Sequence, residues 1–271
     1  MNLGLIGIGS GVCVDPVVAK RVAQRAEALG YDSLWTGEHV VYPDPREEPS
    51  NADPDFPILH PSTSLAFIAG VTERVLLGTG IALIAQRNPI VLAKEMASLN
   101  VVSQGRLVLG IGAGYVHQEF AALGVNFKER GARTDECVAV MRALWNDDHP
   151  AYNGRFVRFS GVQARPRPIQ PGGPPIVIGG DSEAAMRRAA AYGQGWYGFG
   201  LDIDETATVI ERLKAAGGEH LEINITSRIG LTDETVTAFS KLGVHRLILV
   251  APQLPEDPMF GRIEAMAPFA R

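Results

Sequence analysis

Short apolar runs alternate with amphipathic stretches along most of the chain. Residues 2–9 read as a first strand. Asp15 can cap a helix that opens at Pro16; Val18, Val22, Ala26 and Leu29 then share one face until Gly30 stops it. A second strand is expected over 31–39, and the six prolines of residues 42–61 mark a long loop. Helices are expected over 61–73, 89–103 and 133–147, with strands over 75–81 and 107–114 among them. Residues 152–159 read as a β-hairpin turning on Asn153-Gly154, followed by a proline-rich connector. Beyond it, strands over 175–180, 195–200, 221–229 and 245–250 alternate with helices over 182–192, 204–216, 232–242 and 258–269.

Strands that alternate with helices give a parallel sheet with right-handed crossovers. Eight such units in 271 residues predict a closed (β/α)8 TIM barrel, an α/β fold, rather than an open sheet. The hairpin is then an excursion before strand 5, and residues 1–271 read as one domain.

Composition narrows the partners. Hydrophobic residues are 46% and charged residues 20%, enough for a sizeable core and too apolar for global disorder. Lysine and arginine number 25 against 30 acidic residues, a net charge of −5, and there is no basic run. Nucleic acid or an anionic membrane surface is therefore not the expected partner. No segment reaches the ~20 apolar residues of a membrane span. Met1-Asn2-Leu3-Gly4 lacks the basic start of a signal peptide, so the chain is expected to stay in the cytoplasm. Cys13 and Cys137 lie far apart and outside any CxxC, which fits reduced thiols.

In a barrel of this kind chemistry sits where the strands end at their carboxyl side. That rule selects Glu38 and His39, the stretch Gly78 to Ile81, the stretch Gly110 to Tyr115, and Gly179 to Ser182. His39 is a candidate proton-transfer group with Glu38 as its helper, since imidazole titrates near neutrality; a histidine that only closes a strand end is the alternative. Gly110-Ile111-Gly112-Ala113-Gly114 starts like a dinucleotide fingerprint, but Tyr115 stands where its third glycine belongs, and packing explains the glycines equally well. Ile178-Gly179-Gly180-Asp181-Ser182 ends a strand and opens a helix. Free amides and the helix dipole make that turn an anion site, or else Asp181 or Ser182 merely caps the helix. The remaining histidines, His60, His117, His149, His220 and His245, show no metal-ligand spacing, so no metal is expected. No serine sits in a GxSxG elbow. Trp35, Trp145 and Trp196 are read as core residues.

Several stretches together resemble the luciferase-like monooxygenase superfamily, and within it the oxidoreductases that use the deazaflavin coenzyme F420. They are Gly30 to Trp35 with Glu38-His39-Val40-Val41, Leu77 to Ile81 with Arg87-Asn88-Pro89, and Ser103 to Gly114. Further on come Glu119-Phe120, Arg130 to Glu136, Leu144-Trp145, Pro175 to Gly180, and Gly195-Trp196. The resemblance implies a cofactor ring lying across the strand ends of the barrel. It implies a non-prolyl cis peptide at Gly80–Ile81 behind the ring, so that Thr79, Gly80 and Ile81 belong to the cofactor group. It further implies that Gly112, Ala113 and Gly114 line the ring, that Gly179, Gly180, Asp181 and Ser182 hold the cofactor phosphate, and that His39 and Glu38 serve catalysis. A homodimer through the helices after strands 2 and 3 is also implied.

The function expected is hydride transfer between F420 and a small organic substrate. The alternatives are an FMN-dependent monooxygenase or a flavin- or deazaflavin-binding protein without turnover. Glu38 stands where F420 enzymes commonly carry aspartate, as in many flavin-using relatives. Tyr115 replaces a glutamate of the family's sugar-phosphate dehydrogenases, which argues against that substrate. Arg165 and Arg167 in the connector are candidates for contact with the acidic F420 tail, or are solvent-exposed.

Overall fold

A computed structural model describes residues 1–50, 52–250 and 255–270. The elements in chain order are β1 (Asn2–Ile6), α1 (Pro16–Ala28), β2 (Ser33–Thr36), α2 (Pro61–Ala69), β3 (Leu76–Thr79), β4 (Ala82–Leu83) and α3 (Pro89–Val102). Next come β5 (Leu107–Gly112), α4 (His117–Ala122), α5 (Arg130–Asn146), the hairpin β6 (Tyr152–Asn153) and β7 (Arg158–Phe159), and β8 (Ile176–Gly179). The chain closes with α6 (Glu183–Tyr192), β9 (Gly195–Leu201), α7 (Ile203–Ala215), β10 (Glu222–Ser227), α8 (Asp233–Lys241), β11 (Arg246–Val250) and α9 (Glu256–Met266).

The main sheet is parallel and closed. β1 pairs with β2 and β11, and the ring runs on through β10, β9, β8 and β5 back to β3 and β4. β3 and β4 are two halves of one stave, so eight staves close the expected (β/α)8 TIM barrel. The break between the halves is the cis peptide Gly80–Ile81, at the position expected from the resemblance.

The alternation within each strand explains why both faces are buried. Leu3, Leu5, Leu34, Leu107, Leu109, Ile176, Ile178, Leu247 and Leu249 belong to the layer between sheet and helices. Their intervening neighbours Ile6, Trp35, Val108, Val177, Tyr197 and Ile248 pack together inside the barrel. Side chains two apart share a face, so one strand feeds two cores. Each buried aliphatic side chain contributes about 1.5–3 kcal/mol relative to exposure.

Helix starts follow local chemistry. The Asp15 carboxylate accepts the Val17 and Val18 amides, and Asn88 accepts those of Ile90 and Val91. Asp202 with Glu205 forms a capping box at α7. The boundaries otherwise differ by a few residues, and two differences are instructive. Helix α4 falls in a stretch that carries no periodic signal, being only His117–Ala122. The hairpin does not turn on Asn153-Gly154: Asn153 pairs with Arg158, and the loop is Gly154 to Val157. Its cause is tertiary, because the Glu136 carboxylate on α5 accepts the amides of Arg155, Phe156 and Val157 and opens the turn around itself.

Candidate active site

The carboxyl ends of the staves surround two adjoining cavities. The first, of about 480 Å3, is lined by Glu38, His39, Ile58, Gly80, Ile81, Leu83, Trp196 and Phe199, among others. The second, of about 580 Å3, is lined by Gly112, Ala113, Gly114, Gly179 to Ser182, Lys128, Arg130 and Arg188, among others. Ile81, Gly114, Tyr115, Gly179, Gly180 and Asp181 belong to both walls, so the two form one trough across the barrel mouth.

The floor between them is Ile81. A Cβ on Gly112 would stand 2.1 Å from its Cδ1, and one on Gly179 would stand 2.8 Å from the same atom. These two glycines are therefore required by packing: they admit the Ile81 side chain, which lines both cavities. Thr79, grouped with the cofactor residues on sequence grounds, lies below this floor. It is fully buried, and its hydroxyl donates to the Gly110 carbonyl at 2.6 Å.

His39 stands on the wall of the first cavity with its side chain 16% exposed. Its Nδ1 lies 3.2 Å from Oε2 of Glu119, a carboxylate with no exposure at all. The other Glu119 oxygen accepts the Val40 amide at 2.6 Å. Burial pushes the Glu119 carboxyl up, but the His39 and Val40 hydrogen bonds, the neighbouring Gln86 amide and the His39 charge together hold the group below the ordinary carboxylate range. The ring of Tyr42 lies 5.0 Å from that of His39, and Tyr115 meets it edge-on at 5.8 Å. Burial, with Tyr115 and Glu119 nearby, pushes the Tyr42 hydroxyl up to about 12, so it stays protonated.

Glu38 also lines the cavity, but its carboxylate turns the other way. It accepts the Leu83 amide at 2.6 Å and pairs with Arg87. Glu119, on α4, is thus the carboxylate on His39. Glu119 belongs to the family-like stretches in the sequence, but its spacing of 80 residues from His39 gives no sign of contact.

The Gly179–Ser182 turn is held from three sides. Trp196 Nε1 donates to the Gly180 carbonyl at 2.7 Å, Arg212 donates to the Asp181 carbonyl, and the Ser182 hydroxyl accepts the Ala185 amide. Ser182 therefore caps α6. The earlier amides of the first turn have no intrahelical acceptor. Gly180 has φ +104°, a conformation that glycine tolerates best. Arg188 is paired with Asp135, whereas Arg130 donates to the Phe127 carbonyl, lies 3.9 Å over its ring and has no carboxylate partner among the described residues. Arg165 and Arg167 are elsewhere. The Arg165 carbonyl contacts Lys94, and Arg167 pairs with Asp148, along the outer face of α3 and α5. The proline-rich connector runs down that face, so its arginines do not reach the mouth.

Trp35 and Trp145 are core residues, while Trp196 is both buried and part of the cavity wall. Among the described residues no group of three or more His, Cys, Asp or Glu is placed to hold a metal ion. No described helix is long and apolar enough to cross a membrane.

The comparisons with known proteins agree with this architecture. An uncharacterized protein of Mycobacterium tuberculosis is 30% identical over 98% of both chains. The F420-dependent hydroxymycolic acid dehydrogenase of the same organism is 29% identical over 68% of this chain and 49% of its own length. Among solved structures, the monooxygenase RslO1 of Streptomyces bottropensis has a TM-score of 0.81 at 22% identity, covering 99% of this chain and 98% of its own. An F420-dependent secondary alcohol dehydrogenase, solved with an F420–acetone adduct, has a TM-score of 0.80 at 17% identity, covering 100% of this chain and 99% of its own. At such identities the structural likeness speaks for the fold alone. Residues 9–233 match the luciferase-like monooxygenase family over most of the chain, and the protein belongs to that family.

Proposed function

We propose that the protein is an F420-dependent oxidoreductase that exchanges a hydride with a small organic substrate. The observation that carries this reading is the single trough: His39 lines one cavity, Lys128, Arg130 and Ser182 line the other, and Ile81 with the Gly179–Asp181 turn forms the wall the two share. A planar ring with a phosphate-bearing tail fits that order of surfaces. The ring would rest on Gly80 and Ile81, beside Gly112 to Gly114. The phosphate would meet the α6 amides at Gly179 to Ser182. Lys128 and Arg130 favour a tail with further carboxylates over the short tail of FMN. The F420-dependent relatives support the same choice.

When bound, a deazaflavin supplies a carbon that donates or accepts hydride and does not activate O2. The chain's own work is then positional and acid–base. His39 Nε2 takes the hydroxyl proton of an alcohol as its carbon loses hydride, or gives a proton to a carbonyl or imine that gains one. Ile58, Leu83, Phe199 and Leu201 exclude water around the reacting carbon. Among the described residues no lysine or arginine lines that cavity, which favours an uncharged substrate and disfavours a sugar phosphate.

Two further expectations belong to this reading. The exposed apolar residues Phe67 of α2 and Val91 and Val102 of α3 suit burial between two copies, so a homodimer is expected by light scattering. Cys13 and Cys137, both buried and unpaired, fit a reducing cytoplasm.

The test is equilibrium titration of the apo protein with F420 and with FMN. Tighter F420 binding supports the reading. FMN bound with F420 ignored would move the protein to the monooxygenases, a group with which it shares its barrel. Binding of neither would overturn both.

A further inference from the structure

We infer that Glu119 is a positioning residue that fixes the tautomer of His39 and ties the imidazole to the loop it begins. The role rests on the reading above, in which His39 moves the proton.

The argument is one of donors and acceptors. An ionised carboxylate only accepts hydrogen bonds. Glu119 has no exposure, and both its oxygens are engaged, one with His39 Nδ1 and the other with the Val40 amide. The contact at Nδ1 therefore requires the ring proton there, which leaves the Nε2 lone pair as the basic site of the neutral ring. His39 itself lines the cavity, and its Nε2 makes no hydrogen bond among the described residues. A side chain that faces a cavity without restraint would populate both tautomers and several ring orientations.

The second oxygen adds a restraint on the backbone. By accepting the Val40 amide, Glu119 holds the first residue after His39, where the chain enters the 40–58 segment. That segment reaches the cavity at Ile58 and returns to α4 through Gln118, which donates to Glu47. Helix α4 thus grips the segment at both Val40 and Glu47 while orienting the imidazole. Tyr42 and Tyr115 flank the ring but offer aromatic contact, not a hydrogen bond to Nδ1.

The test is nitrogen-15 NMR of the histidine-labelled protein, with His39 assigned by its loss in His39→Gln. In the wild type the His39 spectrum should show a protonated Nδ1 and an unprotonated Nε2. Glu119→Gln should invert this. The carboxamide oxygen must face the Val40 donor, so its NH2 faces Nδ1 and donates to it, which moves the ring proton to Nε2. Glu119→Asp keeps an acceptor and should retain the wild-type tautomer. A wild type whose neutral ring carries its proton on Nε2 overturns the inference, and so does a folded Glu119→Gln whose neutral ring keeps the proton on Nδ1. If Glu119→Gln does not fold, the wild-type and Glu119→Asp spectra decide. F420 titration of the same samples tests the functional reading separately. F420 should bind wild type and Glu119→Gln within about threefold, because Glu119 lines neither cavity and is not among the residues proposed to hold the phosphate. Wild type that binds neither F420 nor FMN defeats the cofactor assignment while leaving the tautomer result in force.

Discussion

The two ends of the barrel handle their polar groups in opposite ways. At the amino end, Arg106 is buried and donates to the carbonyls of Ser103, Ala69, Thr72 and Val75 and to the Thr72 hydroxyl. Arg246, also buried, makes a fork on Asp32 and a further bond to Asn224. Both buried guanidinium groups are thus held by fixed acceptors. At the carboxyl end, His39 keeps one ring nitrogen for the cavity, the first amides of α6 lack intrahelical acceptors, and Tyr115 and Phe199 stand 46% and 63% exposed. The closed end holds the staves together, and the open end presents its groups to the two cavities. The contrast predicts that stability and function separate by end.

The largest effect should come from Arg106→Ala. It leaves several buried carbonyls without a donor and should cost about 3–4 kcal/mol of stability. Chemical denaturation checks this, and the folded fraction should bind cofactor as the wild type does. A loss under 1 kcal/mol would remove the distinction between the ends.

His39→Ala should act the other way. Turnover with F420 should fall by at least ~100-fold, while the unfolding midpoint and F420 affinity change little. Turnover per bound cofactor within about threefold of wild type would mean that positioning alone carries the chemistry.

Gly180→Val tests the anion end. The space beside Gly180 is ordinary, with the nearest atom 3.6 Å from an added Cβ, so the cost arises from its φ of +104°. Backbone strain of about 1–2 kcal/mol should move the turn and weaken F420 binding by roughly tenfold. Isothermal titration that finds unchanged affinity would separate the phosphate site from this turn.

The smallest effect is on acid stability. Glu119 has its carboxyl held below the ordinary value of 4.5 in the folded state, so the unfolded chain binds the proton more readily. The stabilisation is complete above about pH 4.5 and is lost as pH falls through the folded value. Unfolding midpoints between pH 6 and pH 3.5 should fall more steeply for the wild type than for Glu119→Gln, with pH 4.5 the ordinary carboxyl value between them. Parallel curves would show that the Glu119 carboxyl titrates alike in the folded and unfolded chain.

The barrel, and which residues stand at the carboxyl ends of its strands, were legible in the chain. Alternation of apolar runs with helical faces specifies parallel staves, because a period of two buries both faces of a strand while a period near 3.6 buries one face of a helix. Local caps at Asp15, Asn88 and Asp202 mark helix starts through neighbours within a few residues. Placing His39 and the Gly179–Ser182 turn at the mouth needed only the rule that strand ends carry chemistry.

What the sequence could not determine is who touches whom across long separations. Glu38 adjoins His39 in the chain, yet successive residues leave the backbone in different directions, so its carboxylate meets Arg87 and the Leu83 amide instead. Glu119 reaches His39 only because α4 folds over the mouth. Glu136 opens the hairpin turn from 19 residues away, overriding an Asn-Gly pair that on its own favours a two-residue turn. Arg165 and Arg167 are drawn to the outer wall by the connector's path. Local pattern and capping are set by interactions a few residues apart, which any stretch of chain carries with it. The pairing of a buried carboxylate with one donor among many is decided only when the barrel closes and burial makes an unpaired charge costly.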